Sequence, residues 1–291
     1  MENSKNVEEW NDFNSKHYQK GSEFINYSFL SQLFEQVIAK GNVRDIWFPG
    51  CGTSIVPKVF AELGFNTWAT DVSDFAVAIQ HEFTEKSVEQ ILEYGRRISV
   101  QNEQGELESQ TLVNYLLMYH CADDYSFEKQ GTFEVVNHDF RTSFYHAKFD
   151  CIVNIKAFQV FLSNAQRQIA RVHYDALKSG GLAVFQTQNI VGKADLELKA
   201  SLLNAGFHIQ GFKTSSWFWN TLSEMLPLDL LHSYGVFEDY FWSDSDRQKY
   251  SKTLESLRQE FKQRSERESE ETAHLLNDGE TKVAKVFAWS G

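Results

Sequence analysis

One stretch limits what this chain can fold into more than any other: Arg44 to Asp71, RDIWFPGCGTSIVPKVFAELGFNTWATD. Ile46, Trp47 and Phe48 form a short apolar run of the kind that fills a sheet buried on both faces. Pro49-Gly50-Cys51-Gly52-Thr53-Ser54 then turns the chain sharply. Its glycines open backbone angles closed to other residues and let a ligand approach the main chain, and Ser54 can cap the next helix. That helix is predicted from Ile55 to Leu63, with Gly64 just past its end. Thr67 to Thr70 reads as a second strand running into Asp71. The whole is strand, glycine loop, helix and strand, half of a nucleotide-binding α/β unit.

A carboxylate about twenty residues past the glycines sits where it can accept hydrogen bonds from both hydroxyls of a ribose. Two cofactor classes share that geometry. A dinucleotide fingerprint, G-x-G-x-x-G, seats a pyrophosphate on the helix N-terminus, but Ile55 holds the place of the third glycine. A nicotinamide dehydrogenase is therefore the reading these residues support least.

The rest of the chain extends the same pattern. With 291 residues it can bury a sizeable core, and it reads as a single domain, 1–291, with insertions. The formal charge of −12 gives no global attraction for a polyanion, so neither nucleic acid nor an anionic membrane is expected as a partner. Three cysteines, none paired at metal-ligand spacing, fit a reducing compartment and no metal site. The start, MENSKNVEEWNDF, carries no long apolar run, so no signal peptide or membrane span is expected and a cytoplasmic protein follows.

Residues 1–42 read as an N-terminal helical cover: Leu30, Leu33, Phe34 and Val37 share one helix face, and Trp10, Phe13, His17 and Tyr18 lie upstream. After Asp71 a helix follows, with Phe75, Val77, Ala78, Ile79 and Phe83 as its apolar face. Residues 94–131 are long for a connection and read as an insertion with its own helix or hairpin. Strands are expected at Thr132 to His138, Phe149 to Ile155, Leu182 to Gln188 and Phe207 to Lys213, with helices at Phe158 to Leu177 and Leu196 to Asn204. Between Thr214 and Glu280 lies a second insertion, aromatic in its first part (Trp217, Phe218, Trp219, Tyr234, Phe237, Tyr240, Phe241, Trp242). Its second part, from Ser245 to Asn277, reads as a charged helix with Tyr250, Leu254, Leu257 and Phe261 on one face and Glu260 spaced to pair with Arg264. The rings form either a substrate lid or the packing of a subdomain or homodimer contact. Lys282 to Ala288 alternates as a last strand.

Four ordered landmarks, PGCGTS, Asp71, the strand end at Asp139-Phe140, and ALKSGG before a strand, together resemble the class I S-adenosylmethionine-dependent methyltransferases. The WFPGCG loop, Asp71-Val72-Ser73, the insertion near Gln101 to Gln110, and KFDCIV give a layout similar to the thiopurine methyltransferase group. The resemblance implies an α/β, Rossmann-like, doubly wound sheet of seven mostly parallel strands, the last antiparallel. It implies S-adenosyl-L-methionine as cofactor and a small molecule with a nucleophilic S, O or N as methyl acceptor. The cofactor contacts it implies are Pro49, Gly50, Cys51, Gly52, Thr53, Asp71, Val72, Asp139 and Phe140: the amides of Gly50 to Thr53 for the methionyl part, Asp71 for the ribose hydroxyls, Asp139 for the adenine amino group, and Phe140 against the ring or offering its amide to the ring nitrogen.

There are departures from the family pattern. Phe48 stands where most members carry an acid that helps bind the methionine end, Ser54 replaces the last glycine, and Val153, Asn154, Ile155 and Lys156 replace the fourth-strand motif of the thiopurine group. No Asn/Asp-Pro-Pro-aromatic motif marks that strand end, which argues against methylation of exocyclic base amines. Methyl transfer from a sulfonium needs mainly proximity and a dry site, with a base only if the acceptor must lose a proton. Asn154 and Lys156, at the C-terminal end of the fourth strand, are the residues placed to touch the acceptor, and His17, Tyr18, His120 and His138 are candidate bases. A catalytically silent methyltransferase-fold binding protein and a protein methyltransferase are the alternatives.

Overall fold

The structure is a computed structural model, and it describes residues 7–19, 33–34, 43–93, 99–101, 107–109, 131–142, 145–155, 157–158, 161, 163–187, 193–211, 221, 225, 244–277 and 279–288. Elements in chain order are α1 (Val7–Gln19), β1 (Asp45–Pro49), α2 (Val56–Glu62), β2 (Asn66–Asp71), α3 (Asp74–Thr84), α4 (Val88–Glu93), β3 (Ser99–Gln101) and β4 (Leu107–Ser109). They continue with β5 (Phe133–Asn137), a short 3-10 turn (Phe140–Thr142), β6 (Phe149–Ile155), α5 (Ser163–Ala176), β7 (Leu177–Thr187), α6 (Lys193–Ala205), β8 (His208–Gln210), α7 (Asp244–Asn277) and β9 (Val283–Ala288).

Seven strands form one sheet in the order β5-β2-β1-β6-β7-β9-β8, while β3 and β4 pair antiparallel as a separate hairpin between residues 99 and 109. This is a doubly wound, Rossmann-like sheet. Its strands read as continuous apolar runs because both faces are covered. The two-residue period sends Ile46, Phe48, Cys151, Val153, Leu182, Val184 and Val283 to one face, under Val59 and Phe60 of α2 and Ile79 and Phe83 of α3. The alternate residues Trp47, Ile152, Ala183, Phe185, Ala284 and Val286 face Ile169 and Ala170 of α5 and Leu198 and Leu202 of α6.

The last strand departs from expectation: β9 is parallel to both β7 and β8, not antiparallel. A hairpin return would put the start of β9 beside the end of β8, but His208 N donates to Lys282 O at 3.0 Å, so the two strands start side by side. The chain comes back along α7. Glu268 accepts from Gly211 N, just beyond β8, at 2.9 Å. The nine further residues to Asn277 advance roughly 13 Å at 1.5 Å per residue, enough to carry the chain back past the length of so short a strand. A parallel pairing needs a crossover of a dozen residues or more, and a long insertion supplies one.

Other boundaries shift in smaller ways. α5 starts at Ser163 rather than Phe158, and β7 takes in the Lys178-Ser179-Gly180-Gly181 turn. Ala78 faces outward, while Gln80 takes a core position on α3. In α7 Leu257 is buried and Arg264 pairs with Glu260 at 2.7 Å. Below the sheet, Lys178 Nζ bridges Asp45 at 2.8 Å and Asp150 at 2.9 Å, and Asp150 also receives the amides of Arg44 and Asp45. This ties the starts of β1, β6 and β7 together, at the edge opposite the glycine loop. Among the described residues no helix is long and apolar enough to cross a membrane. The aromatic run from Trp217 to Trp242, Leu30, Val37 and the side chains of Leu254 and Phe261 lie outside the described residues.

Candidate functional site

In the strand order, β1 lies between β2 and β6, and the winding reverses there. Ligands of open α/β sheets gather at that reversal, beyond the C-terminal strand ends. Here the loop after β1, the end of β2, the turn after β5 and the residues after β6 converge.

The loop is bolted to the end of β2. Cys51 N donates to Thr70 O at 3.1 Å, and Gly52 N donates to Asp71 Oδ2 at 2.8 Å. Asp71 Oδ1 receives Ser73 N at 2.9 Å. The loop was expected to offer its amides to a ligand, but those of Cys51 and Gly52 are already committed within the protein. Asp71 is 7% exposed, and its oxygens, with the amides of Gly52 and Ser73 on one each and that of Val72 beside them, still have a lone pair for a hydroxyl donor. Burial raises its pKa, with the like charge of Asp139 adding to the effect and the amides of Ser73, Gly52 and Val72 opposing it.

Gly50 forms the floor. It has φ +63, and an added Cβ would lie 2.8 Å from Ala157 Cβ and 2.9 Å from Phe140 Cε1, so this turn admits only glycine. Phe48, where the family pattern has an acid, is 2% exposed and packs on Phe60 at a ring distance of 5.6 Å. Ser54 Oγ accepts from Val56 N at 3.3 Å, one residue ahead of the N-cap position, which Ile55 holds.

Asp139 is not a free acceptor. Arg141 forks onto it, Nε at 2.9 and 3.0 Å from the two oxygens and an η nitrogen at 2.6 Å, while Arg141 N adds a bond at 3.0 Å. Burial acts upward on its pKa, but the Arg141 bonds outweigh it and hold the carboxyl below its usual range. Phe140 is 7% exposed, its ring against Gly50 and edge-on to Phe161 and His173.

Asn154 requires a correction. It was expected at the rim touching an acceptor, but it is fully buried. Its Oδ1 accepts from Phe158 N at 2.9 Å, and its Nδ2 lies 3.2 Å from His173 Nε2. A strand-end polar side chain turns inward when the chain behind it needs an acceptor, and here it ties Phe158 to the end of β6. Lys156 and His120 lie outside the described residues, as do the side chains of His17 and Tyr18. His138 follows β5, where its amide donates to Asp71 O at 2.9 Å.

Three contributors went unnoticed in the sequence, all amides. Asn11 of α1 accepts from Ser73 Oγ at 2.7 Å and Phe75 N at 3.1 Å, adding to the cap that Ser73 makes on Ala76 N at 3.2 Å. Asn14, one helical turn on, reaches Gly52. Gln80 Nε2 donates to Gly52 O at 2.9 Å and Ser54 O at 2.7 Å. A signal was present: Asn11 and Asn14 are spaced i, i+3 on one face, and Gln80 interrupts an apolar register.

No family model matches this chain, and no curated protein does. Among solved structures it is similar to the 4+2 cyclase SpnF, with 15% identity, TM-score 0.36, and coverage of 62% of this chain and 56% of that one. It is similar to a SAM-dependent methyltransferase from Methanosarcina mazei, with 13% identity, TM-score 0.32, and coverage of 51% and 53%. A third is magnesium protoporphyrin IX methyltransferase from Synechocystis with bound SAH, with 11% identity, TM-score 0.38, and coverage of 60% and 67%. The chain thus spans little more than half of the first two. Overlap of this extent carries neither an activity nor an acceptor across to this chain.

Proposed function

We propose that this protein binds S-adenosylmethionine and transfers its methyl group to a nucleophilic S, O or N of a small molecule. The observation that supports this most is the Gly52 to Asp71 bond at 2.8 Å, which places a glycine turn and a buried carboxylate side by side at the reversal of the sheet. A carboxylate with spare lone pairs suits vicinal ribose hydroxyls. The cofactor, when bound, supplies a methyl group on sulfur for in-line displacement, which positioning and exclusion of water accelerate. The chain's own residues have corresponding tasks. Asp71 holds hydroxyls, Phe140 and Ala157 form an apolar floor against Gly50, and α1 lies across the loop and the start of α3. The acceptor's proton leaves to solvent or to a base.

Titration with S-adenosylhomocysteine tests the cofactor, and absence of binding at millimolar ligand sinks the reading. Transfer of labelled methyl groups to a panel of thiols, phenols and amines then tests the reaction.

A second reading, a binding protein on the same fold without transfer activity, is favoured by two observations: Phe48 is packed into the core where the family pattern has an acid, and the amides of Cys51 and Gly52 are spent internally. Cofactor binding without turnover on any acceptor would decide for it. Label entering proteins of a lysate would instead mark a protein methyltransferase.

A further inference from the structure

Three polar side chains from three elements meet at Gly52. Asp71 of β2 accepts its amide at 2.8 Å. Gln80 of α3 donates to its carbonyl at 2.9 Å. Asn14 of α1 stands so close that a Cβ on Gly52 would lie 3.1 Å from its Oδ1. Gln80 is 0% exposed and Asn14 7%.

An account of the polar atoms leaves several acceptors unspent. Gln80 uses Nε2 on the carbonyls of Gly52 and Ser54, and its Oε1 is buried without a hydrogen-bond partner. Asn14 makes no hydrogen bond among the described residues, and Oδ1 is the end that faces the loop at Gly52. Asp71 adds negative charge, and the forces on its carboxylate are burial, backbone amides and the like charge of Asp139. Asp139 in turn is satisfied by Arg141. Beside the buried anion, the unspent oxygens are thus Gln80 Oε1 and the Asn14 Oδ1 that faces Gly52. Buried acceptors are costly when unmade, and the group that answers several acceptors with donors and a positive charge is an ammonium, with three N–H bonds and no lone pair.

We propose that Asn14 and Gln80 bind the ammonium group of an amino-acid-bearing ligand at Gly52, beside the charge of Asp71. This rests on the cofactor reading above and deepens it: the acceptor function that Phe48 cannot supply comes from two neutral amides on the flanking helices. Gln80 has a second role as a positioning residue, since the same side chain fixes the carbonyls of Gly52 and Ser54.

The test compares two ligands that differ only by the amino-acid end. Wild-type protein is titrated with S-adenosylhomocysteine and with 5′-methylthioadenosine, which has the nucleoside and sulfur but no ammonium. Asn14→Leu should weaken S-adenosylhomocysteine by about tenfold or more, the scale of one hydrogen bond to a charged group, and leave methylthioadenosine within about twofold; Gln80→Leu, which also releases the carbonyls of Gly52 and Ser54, should weaken both ligands, S-adenosylhomocysteine the more. Asn14→Asp, which keeps the acceptor and adds charge, should hold or raise the affinity for S-adenosylhomocysteine. That affinity should fall in wild type as pH is raised through the ammonium's titration, and less so in Asn14→Leu. Equal weakening of both ligands, or identical behaviour of Asn14→Asp and Asn14→Leu, overturns the assignment while the cofactor reading stands. Failure of wild type to bind either ligand brings down both.

Discussion

Asn154 Nδ2 donates to His173 Nε2 across 3.2 Å inside the core, and the direction of that bond is fixed by a third group. Because Asn154 Oδ1 already takes the Phe158 amide, only its NH2 can face the imidazole, so Nε2 accepts and the ring proton sits on Nδ1, which is buried without a hydrogen bond of good geometry. The ring is enclosed by Trp47 at 5.3 Å, Phe140 at 6.0 Å and Phe185 at 5.7 Å.

Enclosure makes His173 an acid-sensitive point. Burial lowers its pKa to about 3, against 6.5 when exposed, with the Ile169 carbonyl opposing only in part. The folded state then binds fewer protons than the unfolded one between those values, so its contribution is complete above the unfolded pKa and is lost as pH falls below it. The loss is about 1.4 kcal/mol for each pH unit. Asp71, whose pKa is raised, acts in the opposite sense from its usual value upward, so the test is a difference. Urea midpoints at pH 7 and pH 5 should separate in wild type and draw together in His173→Gln.

Asn154→Ala removes the Phe158 acceptor and the His173 donor together. Each buried group left unmade costs about 1–3 kcal/mol, so the melting temperature should drop clearly. At a temperature where the variant is folded, its affinity for S-adenosylhomocysteine should match wild type. A selective loss of activity with unchanged stability would return Asn154 to the reaction.

Asp71→Asn keeps the shape but exchanges one carboxylate oxygen for an NH2 that meets either Gly52 N–H or Ser73 N–H donor to donor. Affinity for S-adenosylhomocysteine should fall roughly ten- to a hundredfold, the scale of about 1.5–3 kcal/mol for a hydrogen bond to a charged group. Unlike a change at an outlying ribose contact, it should also lower the unfolding midpoint, because Asp71 holds the loop.

Gly50→Ala and Gly279→Ala form a matched pair. Both positions have positive φ, +63 and +76, but a Cβ at Gly279 meets nothing within 4 Å, whereas at Gly50 it strikes Ala157 and Phe140. Gly279→Ala should cost about 1–2 kcal/mol for the backbone alone. Gly50→Ala should cost about 1–3 kcal/mol more for the clash, measured by denaturant unfolding.

The unit from β1 to β2 was legible because every signal in it is local: an apolar run, glycines, a helical period and a carboxylate at a known distance. β6, expected at Phe149 to Ile155, has those bounds for the same reason. The direction of β9 was not legible, since the alternation in KVAKVFA reads the same for either pairing and only the path of α7 decides it. Asn154 misled because a polar residue at a strand end looks alike whether it turns to a ligand or to the core. Gln80 and Asn14 were passed over because an amide carries no charge or reactivity to mark it. Their importance comes from meeting at Gly52, across 28 residues in one case.

The parallel course of β9 also bears on how the sheet assembles. Every neighbouring pair in the seven-stranded sheet is parallel, so none can start as a hairpin, and each must wait for a crossover to close. Among the described residues β8 pairs with the sheet only through β9, which enters between β7 and β8 after more than seventy intervening residues. Until that strand arrives, β8 has no register and the adjoining edge of β7 stays open. Refolding should therefore be slow for a chain of this helix content, and its late intermediate should be one sheet strand short of continuity, a species prone to capture the β9 of another copy.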